Sequence, residues 1–452
     1  MSKPHLWCIA TLNLQSFFGR IVDLYHTSTR LGVQPPEHGP TIFVANHPNG
    51  LIDPIVVAKV VQRRLLFLAK APLFKVPVLG AMARSGGAIP VYRKVDGDDT
   101  GQNSGMFQAV FDSLAEGRAI CLFPEGISHN LPELQRLKTG AARMALGAEA
   151  EHEFVLDIKI VPVGLTYRSK THFRSNVAAE IGPAIRVRDW QRQYEIDPWQ
   201  AVESLTRHIA DGMKAVTLNL QQWEDLPLLE LTEALLPEDG DHKVQRLRSF
   251  AAAGLELEKL DPERLVRLRE RLAVFRSRLD NYGLDIHHLD AAYNPRRIVL
   301  FVFRNLISML IGVPAVVLGT IAYLPPLLAV NWVLRRRADP DDIFSTIRLL
   351  AAMLFFPIWQ IVLTLLISNY MNWLWALISL IVLPLAGLSV RSFARRRNQA
   401  LREAWVFLTM PFQGRQHRLL IREKQRLQTE LASLAQALED AEQKPAAHAS
   451  VD

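Results

Sequence analysis

The sequence predicts an α/β protein, a mixed sheet flanked by helices, followed by a C-terminal α-helical membrane region. Two observations carry that expectation. Over the first 240 residues, short apolar runs bounded by turn residues alternate with stretches of helical period, as strands interleaved with helices do. From Ile298 to Leu334 and from Leu349 to Val390 the chain is then dominated by Leu, Ile, Val, Phe and Trp. With 49% hydrophobic and 21% charged residues, apolar side chains are segregated into particular segments. A length of 452 residues suffices for a well-cored domain and a second region of different character.

The opening stretch, MSKPHLWCIATLNLQSFFGRIVDLY, lacks a clean apolar core ending in a cleavage site, because Asn13, Gln15, Arg20 and Asp23 interrupt it. Residues 1–34 are therefore expected to form an amphipathic, membrane-associated helix that stays in the protein. Strands are expected at Thr41–Ala45, Arg64–Ala69, Gly87–Val91, Arg118–Phe123, Phe154–Tyr167 and Ala178–Ile185. Among the helices between them, one has Asp53 placed as a cap with Pro54 at its first position, and another runs from Met106 to Glu116 and stops at Gly117. The α/β domain should occupy residues 35–240.

Residues 241–297 read as a helical segment in which Leu265, Leu268, Leu272, Phe275 and Leu279 recur at helical spacing, one stripe seeking a partner. A similar stripe returns in the helical tail, 393–452, at Leu420, Leu427, Leu431, Leu434 and Leu438, ahead of a disordered end. It offers a surface for self-association. Between them, residues 298–392 should form membrane hairpins. Leu349–Ser368 and Trp373–Val390 suit two passes of about 20 residues each. Ile298–Leu334, broken by Gly312, Pro314 and Pro325-Pro326, suits a shallow re-entrant hairpin better than a single span. The bland alternative is a set of buried helices in a soluble protein.

A net charge of +7 does not point to nucleic acid, because much of the basic excess (Arg296-Arg297, Arg335-Arg336-Arg337, Arg395-Arg396-Arg397) flanks apolar runs. That placement favours anionic membrane lipid and puts those flanks on the cytoplasmic face. With no signal peptide and no disulfide framework, the first domain is expected to face the cytoplasm on a bacterial inner membrane or an endoplasmic-reticulum-like one.

Four local patterns carry chemistry. In VANHPNGLIDP, His47 follows a strand and Asp53 stands six positions on, across a Pro-Asn-Gly turn. A carboxylate beside an imidazole orients it and raises its basicity, as proton removal from an alcohol requires. The plainer reading is an ordinary turn with Asp53 as a helix cap. GAIPVYRK ends in Arg93, whose planar fork suits a phosphate, or which is a solvated strand end. FPEGISH puts Glu125 and Gly126 after a buried strand, with Lys138 ahead of the next helix. IVPVGLTY leads into a basic loop with Arg168, Lys170, His172 and Arg174.

Other chemistries lack their parts. There is no G-x-S-x-G elbow, no P-loop and no G-x-G-x-x-G after a strand. Cys8 and Cys121 stand alone in unlike contexts, and Gly126 breaks the helix that Glu125 and His129 would need to hold a metal. No cofactor and no metal are expected.

Taken in order, NHPNGLID, GAIPVYR, FPEG and IVPVGLTY resemble the four motif blocks of the glycerolipid acyltransferase family, over roughly residues 35–190. Five residues separate His47 from Asp53 where most members have four, and FPEG continues Ile127-Ser128-His129 rather than Thr-Arg-Ser. Both departures are similar to the fungal-type glycerol-3-phosphate and dihydroxyacetone-phosphate acyltransferases. The resemblance implies His47 as general base, Asp53 as its orienting partner, and Arg93, Glu125 and Gly126 at the acceptor phosphate; Lys138 is a further candidate there. It implies an acyl-CoA or acyl-carrier-protein donor and a glycerol-3-phosphate or dihydroxyacetone-phosphate acceptor in phospholipid synthesis. The alternatives are lysophosphatidic acid as acceptor, or a non-catalytic lipid-binding scaffold that keeps the fold.

Overall fold

The computed structural model describes residues 26–93, 101, 103–167, 175–236, 242–290, 295–336, 341–409 and 414–448. Its strands are β1 (His26–Gly32), β2 (Thr41–Ala45), β3 (Leu65–Lys70), β4 (Ile89–Val91), β5 (Ala119–Leu122), β6 (Lys159–Tyr167), β7 (Ser175–Ile181) and β8 (Ile185–Arg186). They form one mixed sheet in the order β1-β7-β6-β2-β5-β3-β4, with β8 also paired to β6. The five strands from β6 to β4 are parallel, in register Thr41↔Lys159 and Thr41↔Ala119 around β2. β7 runs antiparallel to β6, and β1 is parallel to β7.

The TIFVA run of β2 is buried at every position. This follows from its central place in a parallel sheet covered on both faces, where strands are continuously apolar rather than alternating. Helices α1 (Ile52–Val61), α2 (Pro77–Ser85), α3 (Asn103–Ala115), α4 (Gly140–Glu151), α5 (Gln191–Ile196) and α6 (Pro198–Val216) complete this unit. Leu114, Leu146, Leu205 and Ile209 from three of them close over Ile42, Ile120 and Ile160 of the sheet. Asp197 caps α6, accepting from the Trp199 and Gln200 N–H groups with Pro198 in the first turn.

Two expectations about this unit change. Residues 26–32 form a strand, so the helix expected over 1–34 does not extend through them. β1 ends at Gly32, whose φ of +78° and approach to the Ile181 carbonyl leave no room for a side chain. Residues 1–25 lie outside the described part of the chain. Asp53 does not cap α1 either: Leu51 occupies the cap without a side-chain bond, and Asp53 stands in the first turn.

The first unit reaches Trp223 and takes in Asp339–Thr346; the second comprises Glu224–Ala338 and Ile347–Asp452. The break thus comes ahead of residue 240, and α7 (Leu226–Leu235) packs with the second unit. There it joins α8 (Lys243–Leu260), α9 (Pro262–Asn281), α10 (Ile286–Asp290) and, after the apolar helices, α14 (Gly414–His448). The two leucine stripes meet each other: Leu265, Leu268, Leu272, Phe275 and Leu279 share one core with Leu420, Leu427, Leu431 and Leu434. The Leu438 side chain lies outside the described residues. Arg271 pairs with Glu430 at 2.6 Å and Arg278 with Glu423 at 2.7 Å, so α9 and α14 run antiparallel. The stripe expected to serve self-association is covered within the chain.

Between them lie α11 (Pro295–Arg336), α12 (Asp341–Tyr370) and α13 (Trp373–Thr409). Three segments are long and apolar enough to cross a membrane: Gly312–Arg336, Ile347–Tyr370 and Trp373–Val390. Large apolar side chains such as Ile321, Leu365 and Ile381 stand exposed along them, the character of a helix made for lipid. They associate the chain with a membrane. The re-entrant hairpin expected at 298–334 is instead one continuous helix that carries Pro314, Pro325 and Pro326 inside it. Prolines are tolerated in apolar helices where neighbours re-satisfy the freed carbonyls, and Trp359 Nε1 donates to the Ala322 carbonyl at 2.6 Å. Gly312 lies against Phe393 and Gly319 against the Ala386 carbonyl. α11 and α13 therefore pass antiparallel, brought close by small residues.

Candidate active site

Four of the parallel strands deliver their following residues to one edge of the sheet: β2 leads to His47, β4 to Arg93, β5 to Glu125, and β6 ends at Tyr167. The carboxyl edge of a parallel sheet is where α/β folds place ligands. Past the last β2–β6 rung, the Asn46 amide continues the ladder by side chain: Nδ2 donates to the Leu165 carbonyl at 3.0 Å and Oδ1 accepts the Leu165 N–H at 2.7 Å. This fixes the turn that carries His47.

His47 Nδ1 lies 2.9 Å from Asp53 Oδ2. Asp53 is fully buried, and its oxygens also accept the Asn49 N–H at 2.6 Å and the Tyr167 hydroxyl at 2.6 Å. A carboxylate so held acts as an acceptor only, which places the Nδ1 proton between the two residues and leaves Nε2 as the acceptor nitrogen. Among the described residues Nε2 has no partner. The ring stacks on Phe123 at 4.0 Å, which restricts its rotation. Burial first, then the Asp53 charge and hydrogen bond, push the Tyr167 phenol well above its ordinary range, so it remains a donor. The neighbouring Asn49 amide is buried, and among the described residues neither of its polar atoms is paired.

Glu125 holds the loops together. One oxygen accepts the His47 N–H at 3.3 Å and faces His129 Nε2 at 2.9 Å; the other accepts the Gln135 N–H at 3.2 Å. The Leu131 N–H donates to His129 Nδ1 at 3.2 Å, so His129 donates through Nε2. Further ties join the same turns: His129 N–H to the His47 carbonyl at 3.2 Å, and Gly50 N–H to Ser128 Oγ at 3.1 Å. Gly126, at φ +76°, turns the chain directly after Glu125, and its carbonyl accepts from Arg93. A Cβ at Gly126 would lie 2.5 Å from Lys138 Nζ. Two cations therefore converge on one glycine, beside the loop that Glu125 holds to His47.

All six residues singled out from the sequence thus meet at this edge. Sequence reasoning missed Tyr167, Asn46, Ser128 and His129 as members of the network. The one signal for Tyr167 was a hydroxyl-bearing ring at the last position of an apolar parallel strand. The basic loop 168–174 lies outside the described residues. Cys121 is buried within β5, and burial and then the Asp53 charge push its thiol far above the ordinary range, which removes it as a nucleophile.

Residues 29–166, a span that contains His47, Asp53, Arg93, Glu125, Gly126 and Lys138, match the Acyltransferase family. They form an acyltransferase-family domain. Glycerol-3-phosphate O-acyltransferase 2 of Saccharomyces cerevisiae is 28% identical over 279 residues, 57% of this chain and 37% of the yeast protein. Glycerol-3-phosphate O-acyltransferase 1 of the same yeast is 24% identical over 476 residues, 82% of this chain and 62% of its own length. The chain therefore spans less than two thirds of either relative. The crystal structure of the 1-acyl-sn-glycerophosphate acyltransferase from Thermotoga maritima aligns with 45% of this chain and 80% of that one, at 18% identity and a TM-score of 0.33.

Proposed function

We propose that the acyltransferase domain moves a fatty acyl group from a thioester directly to a hydroxyl of a small glycerol-phosphate acceptor, glycerol-3-phosphate or dihydroxyacetone phosphate. The observation that carries this reading is His47, braced through Nδ1 by a buried Asp53 that Tyr167 and Asn49 hold in turn. Nε2 takes the acceptor hydroxyl proton as its oxygen attacks the thioester carbonyl. The carbon–sulfur bond then breaks, and the thiolate leaves and takes up a proton from the imidazolium. With Cys121 out of reach as a nucleophile, no acyl-enzyme is invoked. Arg93 and Lys138, drawn together at Gly126, hold the acceptor phosphate and convert an encounter into a positioned attack. Glu125 acts here as a positioning residue, because both its oxygens are already engaged and a carboxylate repels phosphate.

The names of the two yeast relatives support the small acceptors. The test offers purified protein glycerol-3-phosphate, dihydroxyacetone phosphate and lysophosphatidic acid in parallel with one labelled acyl thioester. A singly acylated product from either small acceptor, formed faster than product from lysophosphatidic acid, is expected. Product from lysophosphatidic acid alone moves the protein to the second acylation, and no product from any of the three acceptors favours the scaffold.

Membrane topology belongs to the same reading. Because α9 and α14 pack together, the segments that precede α11 and follow α13 lie on one face, and the crossings between them are even in number. On this reading two of the three candidate spans cross. Basic residues flanking these helices favour the cytoplasm for that shared face. In intact cells a cysteine at Met371 should react with an impermeant thiol reagent and one at Gln416 should not; labelling at Gln416 contradicts the topology.

A further inference from the structure

A groove of about 1170 Å³ opens between α3, α4 and α6, somewhat larger than the usual small-molecule site. The active-site residues described above do not line it, but it adjoins them: Gln135 forms part of its wall and its N–H holds Glu125. Four cations line it, Arg136, Arg143, Arg207 and Lys214. Their charged ends are exposed, and among the described residues none pairs with a carboxylate. Aromatic rings also line the groove, with Phe111 pressed over Gly147 so closely that a Cβ there would come within 2.6 Å of the ring. Arg143 lies 5.0 Å over the Phe107 ring, and Trp199, also in the lining, is largely exposed.

Unpaired cations around aromatic faces in a concave wall suit a planar base carrying several phosphates. A flat basic surface would suit an acidic carrier protein better. We propose that this groove holds the phosphorylated adenosine end of an acyl-CoA, with the pantetheine arm running past Gln135 toward His47. The proposal rests on the acyl-transfer reading and selects acyl-CoA as its donor. A phosphomonoester of about −1.5 to −2 charge beside a diphosphate is the complement of four cations with Glu203 as the single lining acid.

The test uses the full chain in detergent and free CoA as the probe, by isothermal titration, so that binding is read without any acyl transfer. Wild type should bind CoA more tightly than 3′-dephospho-CoA, and Arg207→Glu with Lys214→Glu should weaken CoA about tenfold, as reversing two exposed charges does. With an active preparation, the preference for acyl-CoA over the matching acyl-pantetheine, as a ratio of kcat/KM, should fall about tenfold in the double variant. His47→Ala should lower both donors together and leave the ratio unmoved. Equal CoA affinity in variant and wild type overturns the groove while leaving acyl transfer intact. CoA binding that the variant loses, with no acceptor ever acylated, supports the groove and sinks the reaction reading. A variant that loses only an acyl-carrier-protein thioester also overturns the proposal.

Discussion

The His47 corner and the α9–α14 seam hold distant parts of the chain together by opposite means. In the corner, residues 114 apart meet through a buried hydroxyl–carboxylate bond, and every polar oxygen of Asp53 and Glu125 has a donor. In the seam, residues 145 to 159 apart meet through leucines and one phenylalanine, with ion pairs only at the exposed rim. Such a seam tolerates small shifts, because apolar burial is non-directional. The corner does not, since a buried donor or acceptor left alone loses the whole of its compensation. Removal of one atom should therefore register in function at the corner, whereas removal of much of a ring is needed to register in the seam.

The largest expected effect is in the seam. Phe275→Ala, at a fully buried position, should cost about 3–5 kcal/mol, seen as a lowered denaturant midpoint of the purified chain. A loss below about 1 kcal/mol would mean the stripes do not meet as described. Next comes Tyr167→Phe, which deletes one oxygen and strands Asp53 Oδ1. It should cost about 1–3 kcal/mol and lower kcat as well, because the imidazole loses its fixed partner. The Tyr167 phenol is raised in the fold, so the stability it lends is fully present below the unfolded value of about 10 and is lost as pH climbs past it. The stability gap between wild type and variant should thus stay flat from about pH 6 to about pH 9. A gap that closes within that range breaks the assignment.

Arg93→Lys should raise the acceptor KM about tenfold with a smaller change in the donor KM, since a point charge replaces a two-pronged donor. A raised donor KM with the acceptor KM unchanged would reverse its role. Smallest of all, Arg278→Ala removes an exposed rim pair and should shift stability by under about 1 kcal/mol. A larger loss would mean the rim, and not the leucines, holds the seam.

The seam was legible in advance as two stripes, because helical period is a local property of the sequence. Their pairing was not, because nothing within either stripe names its partner. The corner was legible at His47, Asp53, Arg93 and Glu125 through motif order, yet Tyr167 read only as the end of a strand. Its role depends on the β2–β6 register, which no short window contains. The continuous α11 was missed for a related reason. Prolines read as breaks in isolation, whereas neighbouring helices supply the compensating bonds.

The account rests on Nε2 of His47 as the proton acceptor, and its most direct test is the rate of acyl transfer to glycerol-3-phosphate by His47→Ala beside wild type, with melting followed in parallel. A fall of about 10²- to 10⁴-fold in kcat with the melting curve unchanged is the predicted result. Near-normal turnover by the variant would contradict it.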